Sequence, residues 1–187
     1  MAAVLPFTPQ KLVVPMLIAA DAAAADPPLG AVLAAIRTEL GEVDLLDTTI
    51  PFSFTSYYEA EMGVGIVRRF VVARELVDPS YLPDVKLATD RIEGRFRREG
   101  PAGGGRTVNL DPGVLSLSRL ILASTKDFSH RVPLRNGIYA EVTLIYTRGA
   151  FQALPWTFPD YQTREYHRVF ERIREEYHTQ LRSVGAI

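Results

Sequence analysis

A chain of 187 residues, 47% hydrophobic and 23% charged, has the size and composition of one globular domain able to bury a core without disulfide or metal staples. Its net charge of -1 offers no broad positive field, so neither bulk DNA nor an acidic membrane surface is an expected partner. The complete absence of cysteine removes disulfides, thiolate nucleophiles, zinc–thiolate sites and iron–sulfur clusters together, and fits a reducing cytoplasm.

Residues 1–10 carry Pro6 and Pro9 and read as a loose leader to a single α+β domain over 11–187. The apolar part of 11–25 is short, contains Pro15 and follows almost no positive charge, so it reads as an opening strand rather than a secretory signal. No apolar run approaches the roughly twenty residues of a membrane span. Pro15 within strand 11–19 points to an edge or a bulge. Asp26-Pro27 starts a helix with Leu29, Val32, Leu33, Ile36 and Leu40 on one face and Gly41 as its C-terminal cap. A second strand over 42–54 breaks near Pro51 and runs into the aromatic cluster Phe52, Phe54, Tyr57 and Tyr58. A third strand, 66–73, is interrupted only by Arg68 and Arg69.

Asp78-Pro79 repeats the helix-start signal, with Tyr81, Val85, Ala88, Ile92 and Phe96 on one face. A glycine-rich loop over 100–105 leads to a strand at 106–110. The order to this point, strand–helix–strand–strand–helix–strand, is that of a ferredoxin-like βαββαβ core. Asp111-Pro112 then predicts a short helix with Val114, Ser118 and Ile121 on one stripe. A β-hairpin follows, and a C-terminal helix over 163–183 turns Tyr166, Val169, Phe170, Ile173, Tyr177 and Leu181 inward.

Chemistry-bearing residues concentrate between Arg106 and Tyr146. Asn136-Gly137 is the signal of a two-residue type I′ turn, which would pair Val132 with Glu141 and His130 with Thr143. One face then carries His130, Tyr139, Glu141 and Thr143, and the other carries Arg131. A carboxylate beside an imidazole raises its pKa and fixes its tautomer, which suits general acid–base work and equally suits holding a sheet surface together. Asn109 and Asp111 alternate onto one face of their strand, although Asp111 also serves as a turn and cap residue. Lys126-Asp127 marks a corner that is either solvated or functional, and Tyr58 could close over a pocket or join the core. Trp156 is expected to pin the entry to the last helix, whose His167 and His178 lie on its charged face without metal-ligand spacing.

Several motifs are missing. Gly103-Gly104-Gly105 lacks the lysine and hydroxyl of a phosphate loop, and no GxGxxG opens a helix after a strand. Thr125-Lys126-Asp127 lacks the spacer of a guanine-reading element, and Asp111-Pro112-Gly113 is one residue short of D-x-x-G. No nucleophile elbow and no H-E-x-x-H occur; an oxygen-rich cation site from Asp111, Asp127 and Glu141 stays open.

The phrases PFSFTSYYEAEMG, VNLDPG, LASTKDFSHR, GIYAEVTLIY and LPWTFPDY together resemble the bacterial family called domain of unknown function 4416, over nearly the whole chain from about Lys11 to the last helix. The resemblance implies a bacterial, cytoplasmic, single-domain protein and assigns no catalytic residue. Some members carry a GTP-binding label, for which this chain lacks the usual motifs.

The residues point first to a small-molecule site on the hairpin's polar face, for a phosphate- or nucleotide-containing ligand and with hydrolysis or transfer as its chemistry. His130 would be the acid or base and Glu141 would orient it. Asn109, Lys126 and Arg131 would hold the anion, with Asp111, Asp127, Tyr139, Thr143 and Tyr58 around it. The alternatives are a non-catalytic binding or regulatory module using the same groups, and an RNA-contacting domain using Arg91, Arg95, Arg97, Arg98 and Arg106. No cofactor and no oligomeric state follow from the sequence.

Overall fold

The computed structural model describes residues 3–19, 29–98 and 105–187; the expected helix start at Asp26-Pro27 and glycines 100, 103 and 104 lie outside the described residues. Its architecture is mixed α+β, one large antiparallel sheet with four α-helices among the described residues. Strand β1 (Gln10–Ala19) is the spine. Along one side it pairs with β4 (Ile66–Val77). Along the other it pairs with two short strands in succession, β5 (Val108–Leu110) beside Met16–Ile18 and β6 (Gly113–Leu115) beside Lys11–Val13. Strands β2 (Val43–Leu45) and β3 (Ile50–Pro51) continue the sheet beyond β4. Beyond β6 come β7 (Arg119–Ser124), β9 (Tyr139–Thr147) and β10 (Ala150–Ala153), with β8 (Val132–Pro133) paired to β9.

Because side chains alternate along a strand, β1 feeds both faces of the sheet. Leu12, Val14, Met16 and Ile18 pack with Val32, Leu33 and Ile36 of α1 (Leu29–Leu40) and Val85 and Ile92 of α3 (Leu82–Arg95). On the opposite face, Val13, Phe70 and Val72 meet α4 (Arg164–Ser183). That helix buries Tyr166, Val169, Phe170, Ile173, Tyr177 and Leu181, as its 3.6-residue periodicity predicts, and its Thr163 hydroxyl caps the Tyr166 N–H. The fourth helix, α2 (Glu59–Met62), seats Met62 beside Leu17 and Ile66. None of the helices among the described residues is long and apolar enough to cross a membrane.

Three expectations are corrected. Pro15 lies at the centre of the sheet, opposite Phe70. Its carbonyl accepts the Asp111 N–H at 2.9 Å, so the side lacking a donor faces the joint between β5 and β6, where the ladder is already broken. The short helix expected after Asp111-Pro112 is instead the β6–β7 hairpin, with Gly113 opposite Leu122. The Asp111 carboxylate accepts from Arg68 and Asn109, which takes away the cap that would start a helix.

The third correction is the register of the second hairpin. Asn136 and Gly137 do form the left-handed turn, at φ 57° and 75°, closed by Ile138 N–H to Arg135 O. Leu134 N–H also donates to Ile138 O, so Leu134 and Arg135 together oppose one residue. The bulge moves the ladder by one position: Val132 faces Ala140 and Pro133 faces Tyr139.

Candidate functional site

Where the β5–β6 joint opens the sheet, a cavity of about 530 Å³ lies between β4, β7, β9, the 52–58 loop and the turn preceding α4. Its centre is Arg68, which stands on the same face of β4 as Phe70 and Val72 and is 2% exposed. A cation buried to that degree must be paired. Arg68 donates from Nη1 to Asp111 Oδ2 and from Nη2 to Asp160 Oδ2, both at 2.9 Å, and from Nε to the Tyr166 hydroxyl at 3.1 Å. Burial works against its charge, but the surrounding Tyr161, Asp111, Tyr166 and Asp160 oxygens hold its pKa well above the ordinary value. Burial raises the Asp160 carboxyl, against the pull of Arg68.

From Arg68 the hydrogen bonds run on to the rim. Asn109 Nδ2 donates to Asp111 Oδ1 at 2.9 Å and its Oδ1 accepts from Arg106 Nη1 at 3.0 Å. Arg106 Nε reaches Glu61 Oε2 on α2 at 2.6 Å, and its guanidinium lies over Tyr58, 5.4 Å from the ring centroid. Burial, with the Asp111 charge, pushes the Tyr58 phenol up to about 12, so it stays a proton donor. Gly105 lets these segments meet, since a Cβ there would sit 2.7 Å from the Glu61 carbonyl oxygen. On the floor, Lys86 Nζ donates to Leu110 O at 3.3 Å and pairs with Asp90 at 2.8 Å. Glu93 Oε1 accepts the Leu110 N–H at 2.6 Å, and burial pushes this carboxyl up to about 7.

A second cluster forms the opposite wall. Glu141, 1% exposed on β9, accepts through Oε2 from His130 Nε2 at 2.9 Å and from Arg131 Nε at 2.8 Å. The one-residue bulge explains Arg131: the shifted register turns it from the far face onto Glu141. His130 joins the carboxylate from a turn before β8, and its ring stacks on Trp156 at 5.2 Å and 7°. Trp156 therefore clamps His130 rather than the entry to α4, and its Nε1–H donates to Val142 O at 2.8 Å. Glu141 Oε1 and the Tyr161 hydroxyl, both buried, have no hydrogen-bond partner among the described residues.

Of the residues singled out from the sequence for the small-molecule site, Tyr58, Asn109, Asp111, Lys126, Arg131 and Glu141 line the cavity. His130 stands behind Glu141, outside the lining. Tyr139 is half-buried on β9 beside Ser124 and Pro133, and the buried Thr143 hydroxyl donates to Glu141 O at 3.3 Å. Asp127 is an exposed corner residue, and no cluster of three or more metal-ligating side chains forms among the described residues. The sequence did not single out Lys86 or Asp160, and weighed Arg68 only as an interruption. One signal was available: in an apolar strand of period two, Arg68 shares a face with Phe70 and Val72 and so points inward.

Fold and site thus define a mixed α+β protein with a charged, aromatic-walled cleft opening at the joint of an antiparallel sheet. The family described as Domain of unknown function (DUF4416) matches residues 8–177, and the chain belongs to that family. Comparison with curated proteins and with solved structures gives no match.

Proposed function

We propose that the cleft binds a phosphate-containing small molecule, a nucleotide being the form that engages both its cations and its rings. The observation that carries this is the cation the lining leaves over: Arg68, Lys86, Arg106 and Arg131 are each held by a carboxylate, whereas Lys126, among the described residues, is not. Lys126 has no carboxylate within salt-bridge distance among the described residues and lies 5.6 Å from the Tyr57 ring centroid, at the mouth. The volume suits one small ligand. Should the cleft also catalyse hydrolysis or transfer, Glu141 is the group that reaches the ligand, and His130, held between Trp156 and Oε2, positions it.

The test is a thermal-shift series with inorganic phosphate and nucleoside monophosphates. A ligand that binds only the folded state raises the melting point, and Lys126→Ala should reduce the shift without lowering the ligand-free melting point. No shift from any phosphate compound would overturn the proposal. Binding without turnover would leave the non-catalytic or regulatory form of it. RNA contact is the weaker alternative, because Arg91 and Arg95 are paired with Glu39 and Arg106 with Glu61.

The strand order β5–β1–β4–β2, antiparallel throughout with α1 and α3 on one face, supports reading the first part of the chain as ferredoxin-like. A bacterial cytoplasm as its setting is what the family resemblance implies, and a cysteine-free sequence is compatible with a reducing compartment.

A further inference from the structure

The two oxygens of Glu141 are used unequally. Oε2 accepts from both His130 and Arg131, while Oε1, in the same buried carboxylate lining the cleft, has no donor among the described residues. Native proteins seldom leave a buried carboxylate oxygen unmet, and one that lines a cavity marks where a ligand's donor completes it. The donor need not be cationic. Arg131 already offsets the Glu141 charge, and Lys126, the lining cation with no carboxylate beside it among the described residues, would repel an ammonium.

Two further observations describe the rest of the ligand. Phe54, Tyr57 and Phe158 line the same cleft while 39, 58 and 45% exposed, which leaves ring faces for a flat partner to cover. The hydroxyl of Tyr161, a residue 2% exposed, is also buried and unpartnered among the described residues and can donate to a ring nitrogen or an oxygen. An aminated nucleobase is a flat ring that offers a neutral N–H donor beside acceptors. We infer that the ligand is a nucleotide whose base carries an exocyclic amine, and that this amine donates to Glu141 Oε1. The inference rests on the phosphate-ligand reading of the cleft and specifies its ligand.

The experiment compares nucleotides that differ by one amino group: AMP with purine riboside 5′-monophosphate, GMP with IMP, and CMP with pyrimidin-2-one riboside 5′-monophosphate. Calorimetric titration of the full chain should find the aminated member of at least one pair bound about ten-fold or more tightly, the worth of a hydrogen bond to a charged acceptor. Glu141→Gln keeps an oxygen for His130 and Arg131 and turns an amide N–H towards the cleft, so it should erase that preference while phosphate-dependent binding persists. Equal affinities within all three pairs, or a preference that survives Glu141→Gln, would overturn the inference and leave the phosphate reading standing. Failure of all six nucleotides to bind would overturn the inference, and the phosphate reading would fall with it only if inorganic phosphate also left the melting point unmoved. If the variant does not fold, the wild-type comparison decides.

Discussion

Arg68 lines the cleft and Glu93 holds the Leu110 N–H of β5, and the two carry opposite consequences for stability. The Arg68 guanidinium is 3% exposed and the Asp160 carboxylate 6%, so removing the cation strands a buried anion. Arg68→Met should lower unfolding stability by about 3–5 kcal/mol in urea denaturation. Adding Asp160→Asn should restore part of that loss, because the stranded group is then neutral. A loss below about 1 kcal/mol in the single variant would mean the pair is not the buried hub that its geometry indicates. Glu93 acts through pH. Burial raises its pKa from 4.5 to about 7, over the pull of Lys86 and the Leu110 N–H. Between those values the folded protein holds a proton that the unfolded chain has released, so stability falls as pH rises through the window and levels off above it. Glu93→Gln removes the effect while leaving an oxygen for Leu110 N–H. The stability gained by the variant over wild type should therefore grow by about 1–3 kcal/mol from pH 4.5 to 8. A difference independent of pH would show that Glu93 does not carry it.

At the scale of elements, the sheet depends on a few backbone positions. A Cβ on Gly113 would lie 2.4 Å from Ile121 O and 2.7 Å from Leu122 Cδ2, so Gly113→Ala must push β6 from β7. The expected loss is about 1–3 kcal/mol by urea denaturation, with weaker ligand binding because Leu122 lies opposite Glu141. Gly137→Ala meets no neighbour within 4 Å and bears only the strain of φ 75°, so it should cost about 1 kcal/mol and leave binding intact. Equal effects from the two would contradict the packing at Gly113. The same elements show what could be read from the sequence. Helices α1 and α4 were legible because their apolar stripes repeat at 3.6 residues, and the Asn136-Gly137 turn because a left-handed pair favours those two types. The bulge at Leu134 and Arg135 has no local signature, yet it decides that Arg131 reaches Glu141. Asp111-Pro112-Gly113 misled because Asp-Pro serves a strand joint as readily as a helix cap. The deciding partner, Arg68, stands 43 residues away, and Asp160 lies 92 residues beyond Arg68.

Across the whole molecule, five of the 21 lysines and arginines line one opening. The chain as a whole carries -1, so its average field neither attracts nor repels an anion at long range. The cleft collects its five cations from segments far apart in sequence: Arg68 from β4, Lys86 from α3, Arg106 from just before β5, and Lys126 and Arg131 from the loop between β7 and β8. Recognition of a phosphate at that mouth, as proposed, would be a short-range electrostatic event, and added salt would screen its exposed part more than its buried part. Affinity for AMP should weaken several-fold between about 0.05 and 0.5 M salt as the screening length contracts to a few ångströms. Lys126→Ala should flatten that dependence, because Lys126 is the exposed cation of the set, whereas Arg68 is shielded and already paired twice. If AMP binding proved indifferent to salt in wild type and variant alike, the rings and the buried hydrogen bonds would be holding the ligand. The lining cations would then belong to the architecture of the joint rather than to recognition.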